Sequence, residues 1–375
     1  MKKIVHLSSV HKRYDIRIFL KECVTLADAG YDVYFVVADG LGDEVKSGVK
    51  ILDVGYGHSG RLSRMLKTTK LVYKKALELN ADLYQFHDPE LIPSGIKLKR
   101  KTNAVVIFDS HENYSDDIKD KPYLNKYIRV FISVIYEFLE RIMIKKLSAV
   151  IAATPSICNH FSERKALSIN INNYPFESEF EPLEKSNDTK YSATYIGTAS
   201  EIRGLKELVD SFAINDGLNL AIAGTFSEPE FETRLKSSEG WANVYFLGLL
   251  SRESVKDLLS KSATAIVTFL PAPNHIESQP NKMFEYMSAG LPLVASNFPL
   301  WKEIVEGNNC GICVDPSSPQ EISKAILYLN QNKEIARKMG ENGRKAVLEK
   351  YNWSAEAMKL LEFYSSVLDN KNEQK

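Results

Sequence analysis

The sequence predicts an α/β protein of two doubly wound parallel sheets facing a central cleft. Three observations carry this. Short apolar runs alternate with amphipathic stretches along the first half, a charged, proline-bearing segment then breaks the pattern, and the alternation starts again and continues to residue 314. Strand and helix in strict alternation need crossovers, and crossovers lay helices on both faces of a parallel sheet. Length agrees, since 375 residues make about two domains at roughly 150 residues each.

In order, Ile4–Val10, Asp32–Asp39, Val49–Gly55, Asp82–Asp88, Ala104–His111 and Ala149–Thr154 read as strands, being short and rich in Val, Ile, Phe and Tyr. Helical periodicity covers Ile16–Ala29, closed by Gly30, then Leu62–Leu79 and Tyr123–Leu147. Residues 174–190 carry two prolines and many charges without a period, the composition of a linker. Strands resume at Ser192–Gly197, Leu218–Ala223, Val244–Leu247, Thr264–Leu270, Leu293–Ser296 and Gly311–Val314. Helices fall at Leu205–Ala213, Pro229–Ser237, Arg252–Ser260, Asn281–Ala289 and Gln320–Leu329. The tail is helical over Lys333–Lys350 and Ser354–Leu368 with no strand after it. Residues 1–173 and 191–352 are thus the two expected domains, and 353–375 a surplus helix free to cross back to the first.

Lys plus Arg and Asp plus Glu both total 48, and zero net charge excludes a globally basic nucleic-acid binder. The halves differ: residues 1–173 hold 27 Lys/Arg against 20 Asp/Glu, and residues 174–375 hold 21 against 28. A positive first half suits an anionic surface. Basic residues gather at Arg61, Arg64, Lys67, Lys70, Lys74 and Lys75, and at Lys97, Lys99, Arg100 and Lys101. They are candidates for membrane contact, or simply solvated helix faces. The four cysteines are too few to staple the chain. The pair in Cys310-Gly-Ile-Cys313 lacks a second pair or a nearby histidine to complete a metal site. Small core residues in a reducing compartment are expected. No apolar run has signal or membrane-spanning length, so the expectation is a cytoplasmic protein, peripheral at the membrane.

Ligands of open parallel sheets bind beyond the carboxyl ends of the strands. After the first strand come His11, Asp15 and Arg17; after the fourth, His87 and Asp88; after the fifth, His111 and Glu112. Each histidine alone suits a hydrogen-bonded loop; three at equivalent strand ends point to a site. No HxxxH or DxD spacing supports a metal centre.

The second half carries Glu277-Ser-Gln-Pro-Asn281-Lys282-Met-Phe-Glu285-Tyr-Met-Ser-Ala-Gly290. Pro280 suits a helix start and Gly290 its end, which puts Lys282 and Glu285 three apart on one face. A helix N-terminus attracts phosphate, Lys282 adds charge there, and Glu285 can accept from both hydroxyls of a ribose. The spacing equally allows a dipole-stabilising acid and a solvated lysine. Upstream, Tyr195-Ile-Gly197-Thr198-Ala-Ser-Glu-Ile-Arg203-Gly204 is a strand, a glycine turn and a helix start. Such a turn can approach a diphosphate, and Arg203 can bind it bidentately. Neither GxGxxG nor GxxxxGK[ST] occurs, which removes the fingerprints of nicotinamide enzymes and P-loop kinases.

These features together resemble glycosyltransferase family 4, of the GT-B fold with two Rossmann-like domains. The resemblance rests on Glu277 separated by seven residues from Glu285, the Glu-Tyr-Met-Ser-Ala-Gly-Leu-Pro-Leu-Val-Ala continuation, the Tyr-Ile-Gly turn with Arg203-Gly204, and Tyr351-Asn-Trp353 before the last helix. It spans almost the whole chain. The Ser-Ser-Val-His-x-x-x-Asp-x-Arg start and the His-Asp-Pro-Glu-Leu segment look most like bacterial members that assemble surface polysaccharides. The chain departs from the family at Glu277-Ser-Gln-Pro, where Glu-Gly-Phe-Gly is common, and in having a single cation in the phosphate turn. Lys282 is the candidate for the second.

The resemblance implies a retaining, metal-independent hexosyl transfer from a nucleotide-diphosphate sugar to an oligosaccharide or lipid-linked acceptor, without a cofactor or nucleic acid. The C-terminal domain takes the donor through Gly197, Thr198, Arg203, Asn281, Lys282 and Glu285. The N-terminal domain takes the acceptor through His11, Asp15, Arg17, His87, Asp88 and Glu112. Arg203 and Lys282 act on the diphosphate, Glu277 on a sugar hydroxyl, and His111 orients sugar or acceptor. A nucleotide-sugar 2-epimerase of the same fold, a non-catalytic partner of a transferase complex and a hinged binding protein are the competing classes.

Overall fold

A computed structural model describes residues 1–55, 64–112, 114, 118, 125–176 and 189–373. Its first sheet is built from β1 (Lys3–Leu7), β2 (Asp32–Val37), β3 (Glu44–Lys46), β4 (Val49–Asp53), β5 (Leu83–Phe86), β6 (Val105–Ser110), β7 (Ala149–Ala152) and β8 (Ser168–Asn170). The spatial order is β3-β4-β2-β1-β5-β6-β7-β8, parallel throughout except the β3–β4 hairpin. The second sheet contains β9 (Ala193–Ile196), β10 (Leu220–Ala223), β11 (Val244–Gly248), β12 (Ala265–Val267), β13 (Leu293–Ser296) and β14 (Gly311–Val314), all parallel, in the order β11-β10-β9-β12-β13-β14. Two doubly wound sheets are therefore present.

The central strands are covered on both faces, which is why they read as near-continuous apolar runs. Within them His6, Gln85 and Asp109 are polar exceptions, each fully buried. The order in which strands are added across the sheet reverses between β1 and β5 in one sheet and between β9 and β12 in the other. Those are the two places where a doubly wound sheet leaves a crevice.

The chain divides into two units, Met1–Asn173 with Trp353–Lys375, and Tyr174–Asn352. Helix Trp353–Glu373 belongs to the first: Trp353 Nε1 donates to Thr25 Oγ1 at 3.0 Å, and Glu356 accepts from the Asn172 amide at 2.8 Å. Of the expected linker, residues 177–188 lie outside the described residues. Tyr174 does not behave as linker, because its ring packs on Phe284 (4.8 Å) and Tyr351 (5.4 Å) in the core of the second unit.

Other elements differ from the sequence expectation for local reasons. The predicted helix Ile16–Ala29 opens as a wide π turn over Ile16–Cys23, in which the Leu20 amide bonds to the Asp15 carbonyl five residues back. It then tightens to an α-helix over Val24–Asp28. Strand β3 arises because Ser47 and Gly48 both adopt positive φ, 49° and 74°, and close a tight hairpin. Helices Ile92–Thr102, Pro155–Glu163 and Pro299–Val305 were not anticipated; each has proline in its first turn, where the missing N–H costs nothing. Arg61 and Leu62 lie outside the described residues. Lys97, Lys99, Arg100 and Lys101 fall within helix Ile92–Thr102, and Lys99 donates to the Leu147 carbonyl at 2.9 Å.

Candidate active site

In the second unit β9 ends at Ile196, and the Ile196 amide donates to Tyr286 Oη at 2.8 Å, fixing helix Asn281–Ser288 against the strand end. Gly197 follows with φ 133°, and a Cβ built there would lie 2.7 Å from Lys282 Nζ. A side chain at this position would displace the ammonium, so glycine keeps the gap open. Gly204 (φ 69°) lets the turn run against β12's extension, since a Cβ would meet the Thr268 carbonyl oxygen at 1.9 Å. Between them Arg203 Nη1 donates to the Thr198 carbonyl at 3.3 Å, and its guanidinium sits 5.7 Å from the Phe269 ring centre.

Lys282 Nζ is buried without a hydrogen-bond acceptor among the described residues. It stands 3.9 Å from the Tyr195 ring centre and 5.4 Å from that of Phe269. Burial, and secondly Arg203, bring its pKa down to about 7, against an opposing pull from Glu285. Glu285 is half-buried, Asn281 is exposed at the helix start, and Glu277 is exposed just after the short helix Pro273–Ile276. Gly197, Thr198, Arg203 and Lys282 are thus brought together, with Glu285 near enough to act on the ammonium. The Tyr195 and Phe269 rings that flank the ammonium were not anticipated.

In the first unit a chain of buried polar groups underlies the rim. Asp109 receives Arg17 in a fork, Nη2 to Oδ1 at 2.9 Å and Nε to Oδ2 at 3.2 Å, while Arg17 Nη1 caps the Ile171 carbonyl at 2.8 Å. Asp109 Oδ2 also meets His87 Nδ1 at 2.9 Å and His111 Nε2 at 3.0 Å. His87 Nε2 then faces His6 Nδ1 at 3.0 Å. Asp88 accepts from the hydroxyls of Ser8 (3.0 Å) and Ser9 (3.1 Å), and His11 lies 3.4 Å from Asp88 and 3.6 Å from Asp15. Asp15 caps the following helix through the Arg17 and Ile18 amides, both at 2.9 Å.

Burial opposes the Asp109 charge, but Arg17 and the histidines outweigh it and hold the carboxyl well below its usual range. Burial pulls His87 down to about 4, so it is neutral, whereas for His11 the Asp15 and Asp88 carboxylates overcome burial and raise it. Glu22, buried and close to Asp109, is pushed well up.

This corrects part of the sequence expectation. Arg17, His87 and Asp88 were expected to contact an acceptor, yet they are 4%, 0% and 3% exposed; Arg17 and His87 share Asp109, and Asp88 is held by Ser8, Ser9 and His11. A guanidinium facing a buried carboxylate is drawn inward, because leaving either alone would be costly. His11, Asp15, His111 and Glu112 stay at the rim, partly or fully exposed. Asp109, His6 and Gln85 were not singled out. The available signal was a polar residue inside an otherwise apolar strand.

The reversal points of the two sheets carry paired cations at one and an imidazole-rich floor at the other, and the two doubly wound parallel sheets are those of the GT-B fold. The chain belongs to glycosyltransferase family 4. Residues 19–168 match the family model Glycosyltransferase Family 4, and residues 177–346 match Glycosyl transferases group 1. Among curated relatives, the GDP-mannose-dependent α-(1-6)-phosphatidylinositol monomannoside mannosyltransferase of Mycobacterium tuberculosis is 28% identical over 153 residues, 40% of this chain and 39% of that one. The chain spans little more than half, or less, of the length of the curated relatives it matches. Among solved structures, sucrose-phosphate synthase from Thermosynechococcus elongatus superposes with TM-score 0.78 at 16% identity, over 99% of this chain and 100% of that one. Anabaena HepE in complex with UDP and glucose gives 0.69 at 16% identity, over 98% and 100%. At such identities these structures establish the shared fold.

Proposed function

We propose that the chain is a retaining, metal-independent hexosyltransferase acting at the inner face of a bacterial membrane. In this reading it moves a sugar from a nucleotide-diphosphate donor to an oligosaccharide or lipid-linked acceptor in surface-polysaccharide synthesis. The observation that carries the reading is the buried Lys282 ammonium, without a hydrogen-bond acceptor among the described residues, beside Arg203 and over the gap at Gly197. Two cations so placed repel each other, and an anion between them relieves both. As the sugar passes through an oxocarbenium-like state, negative charge builds on the departing diphosphate, so these groups act where the charge develops. Glu285 holds the ribose, Glu277 a sugar hydroxyl, and His111 orients sugar or acceptor. In front-face transfer the leaving phosphate oxygen takes the acceptor's proton, so no carboxylate nucleophile is required.

The mannosyltransferase relative is named for GDP-mannose, and HepE was solved with UDP and glucose, which supports a nucleotide-sugar donor and leaves two bases to compare. Calorimetric titration with UDP-, GDP- and dTDP-sugars decides. Binding of one class, weakened in Arg203→Ala, is expected; binding of none sinks the proposal. Conversion of the donor sugar without any acceptor would mark a 2-epimerase instead.

A further inference from the structure

Helix Lys126–Ile144 presents its stripes the opposite way from a water-facing helix. Ser133, Glu140 and Ile144 are buried, and two of these three are polar. Glu140 meets His160 Nε2 at 2.9 Å, and Glu137 accepts from Arg164 at 2.8 Å. Facing outward are Tyr127 (84% exposed), Phe131 (66%), Val134 (59%) and Phe138 (63%). Their spacing of four, three and four residues is one continuous helical stripe. A second stripe, including Ile128 and Leu139, is exposed beside it. A soluble protein rarely leaves a contiguous apolar face of this kind uncovered.

The charges around the stripe identify what covers it. The helix's two acids, Glu137 and Glu140, are tied to Arg164 and His160. Arg141, Lys145 and Lys146 are exposed at its C-terminal end. Helix Ile92–Thr102 packs against it, contains no acidic residue, and adds exposed Lys97, Arg100 and Lys101. The margin is therefore cationic. A second copy would bring cations onto cations, whereas an anionic lipid surface satisfies the apolar stripe and the basic margin together. No described helix is long and apolar enough to cross a membrane, so the element lies along the surface.

We infer that the outward face of helix Lys126–Ile144 seats in the boundary between headgroups and acyl chains of an anionic bilayer, Phe131 and Phe138 inserted and the flanking cations on the phosphates. The inference deepens the lipid-linked acceptor reading and rests on it for its purpose. The contact itself is testable without acceptor or donor.

The full chain is sedimented with vesicles of phosphatidylcholine containing graded phosphatidylglycerol. Binding should rise with anionic content and persist in part at about 0.5 M salt, because apolar insertion is not screened. Replacing both rings, Phe131→Ser with Phe138→Ser, should lower partitioning by roughly a hundredfold, about tenfold per ring. Lys145→Gln with Lys146→Gln should remove only salt-sensitive binding. Unchanged circular dichroism and donor binding in each variant report an intact fold. No binding to pure phosphatidylglycerol, or binding indifferent to the ring substitutions, overturns the inference. So does a lipid-free dimer that the ring substitutions dissociate. Failure here with donor binding intact leaves the transferase reading standing.

Discussion

In the proposed function Lys282 is the side chain on which donor binding turns. Replacing Lys282 or Arg203 with Ala should cost roughly 2–4 kcal/mol of transition-state stabilisation, read as kcat at saturating donor, because each acts where charge develops. The lowered pKa of Lys282, about 7, fixes the direction of the pH dependence. Donor needs the ammonium, so its affinity should be flat below that pH and fall about tenfold per unit above it, a fall absent in Lys282→Met. Folding responds the other way. Between the folded pKa and the unfolded value of about 10.4 the unfolded chain binds the extra proton, so this group weakens the empty protein as pH drops toward 7. Glu285 acts on Lys282 from the same helix, whereas Glu277 is exposed after a separate one. Glu285→Gln should therefore weaken nucleoside diphosphate binding more than Glu277→Gln, and titration of both variants reverses the ranking if the loss is larger at Glu277. The cations were legible in the sequence because strand ends and helix starts attract anions. The floor of the first unit was not, because spacing cannot tell a charge that faces solvent from one drawn inward to a buried partner, as Arg17 is to Asp109.

Among the elements, strands buried on both faces were legible because a continuous run such as Ala149–Ala152 has few other readings. The three-residue strands β3 and β8 lie at the sheet edges and carry too little pattern to see. Helices Ile92–Thr102, Pro155–Glu163 and Pro299–Val305 are harder to see, since the proline in the first turn of each is also a residue that ends helices. The last helix shows how a tail becomes part of a distant sheet. Glu356, 2% exposed, accepts from the Asn172 amide and lies 3.3 Å from Asn172 Nδ2, while Tyr364 Oη donates to Gln85 beside Glu22. Glu356→Ala would leave a buried backbone donor unpaired. A loss of about 1–3 kcal/mol in urea unfolding is expected, and a change confined to a few tenths would mean that water replaces the carboxylate.

Taken across the molecule, the arrangement of acids and histidines supports the proposal that the transfer needs no metal ion. Among the described residues, two groups of ligand type lie close together, His6 with Glu22 and His87, and His87 with Asp109 and His111. The first is buried, the second is buried except for half-buried His111, and both are engaged in contacts that a cation would have to undo. Asp109 is forked by Arg17, and His87 offers one nitrogen to Asp109 and the other to His6. A divalent ion placed there would face the Arg17 guanidinium across a shared carboxylate, an arrangement disfavoured by direct repulsion. In the proposed transfer the charge on the diphosphate is met by Arg203 and Lys282 of the other unit, the role a metal would otherwise fill. Turnover should therefore survive exhaustive chelation by EDTA, with kcat and donor affinity unchanged within error. Chelation that abolishes activity, with recovery on adding Mg²⁺ or Mn²⁺, would show that two cations do not suffice and would return the diphosphate to metal coordination.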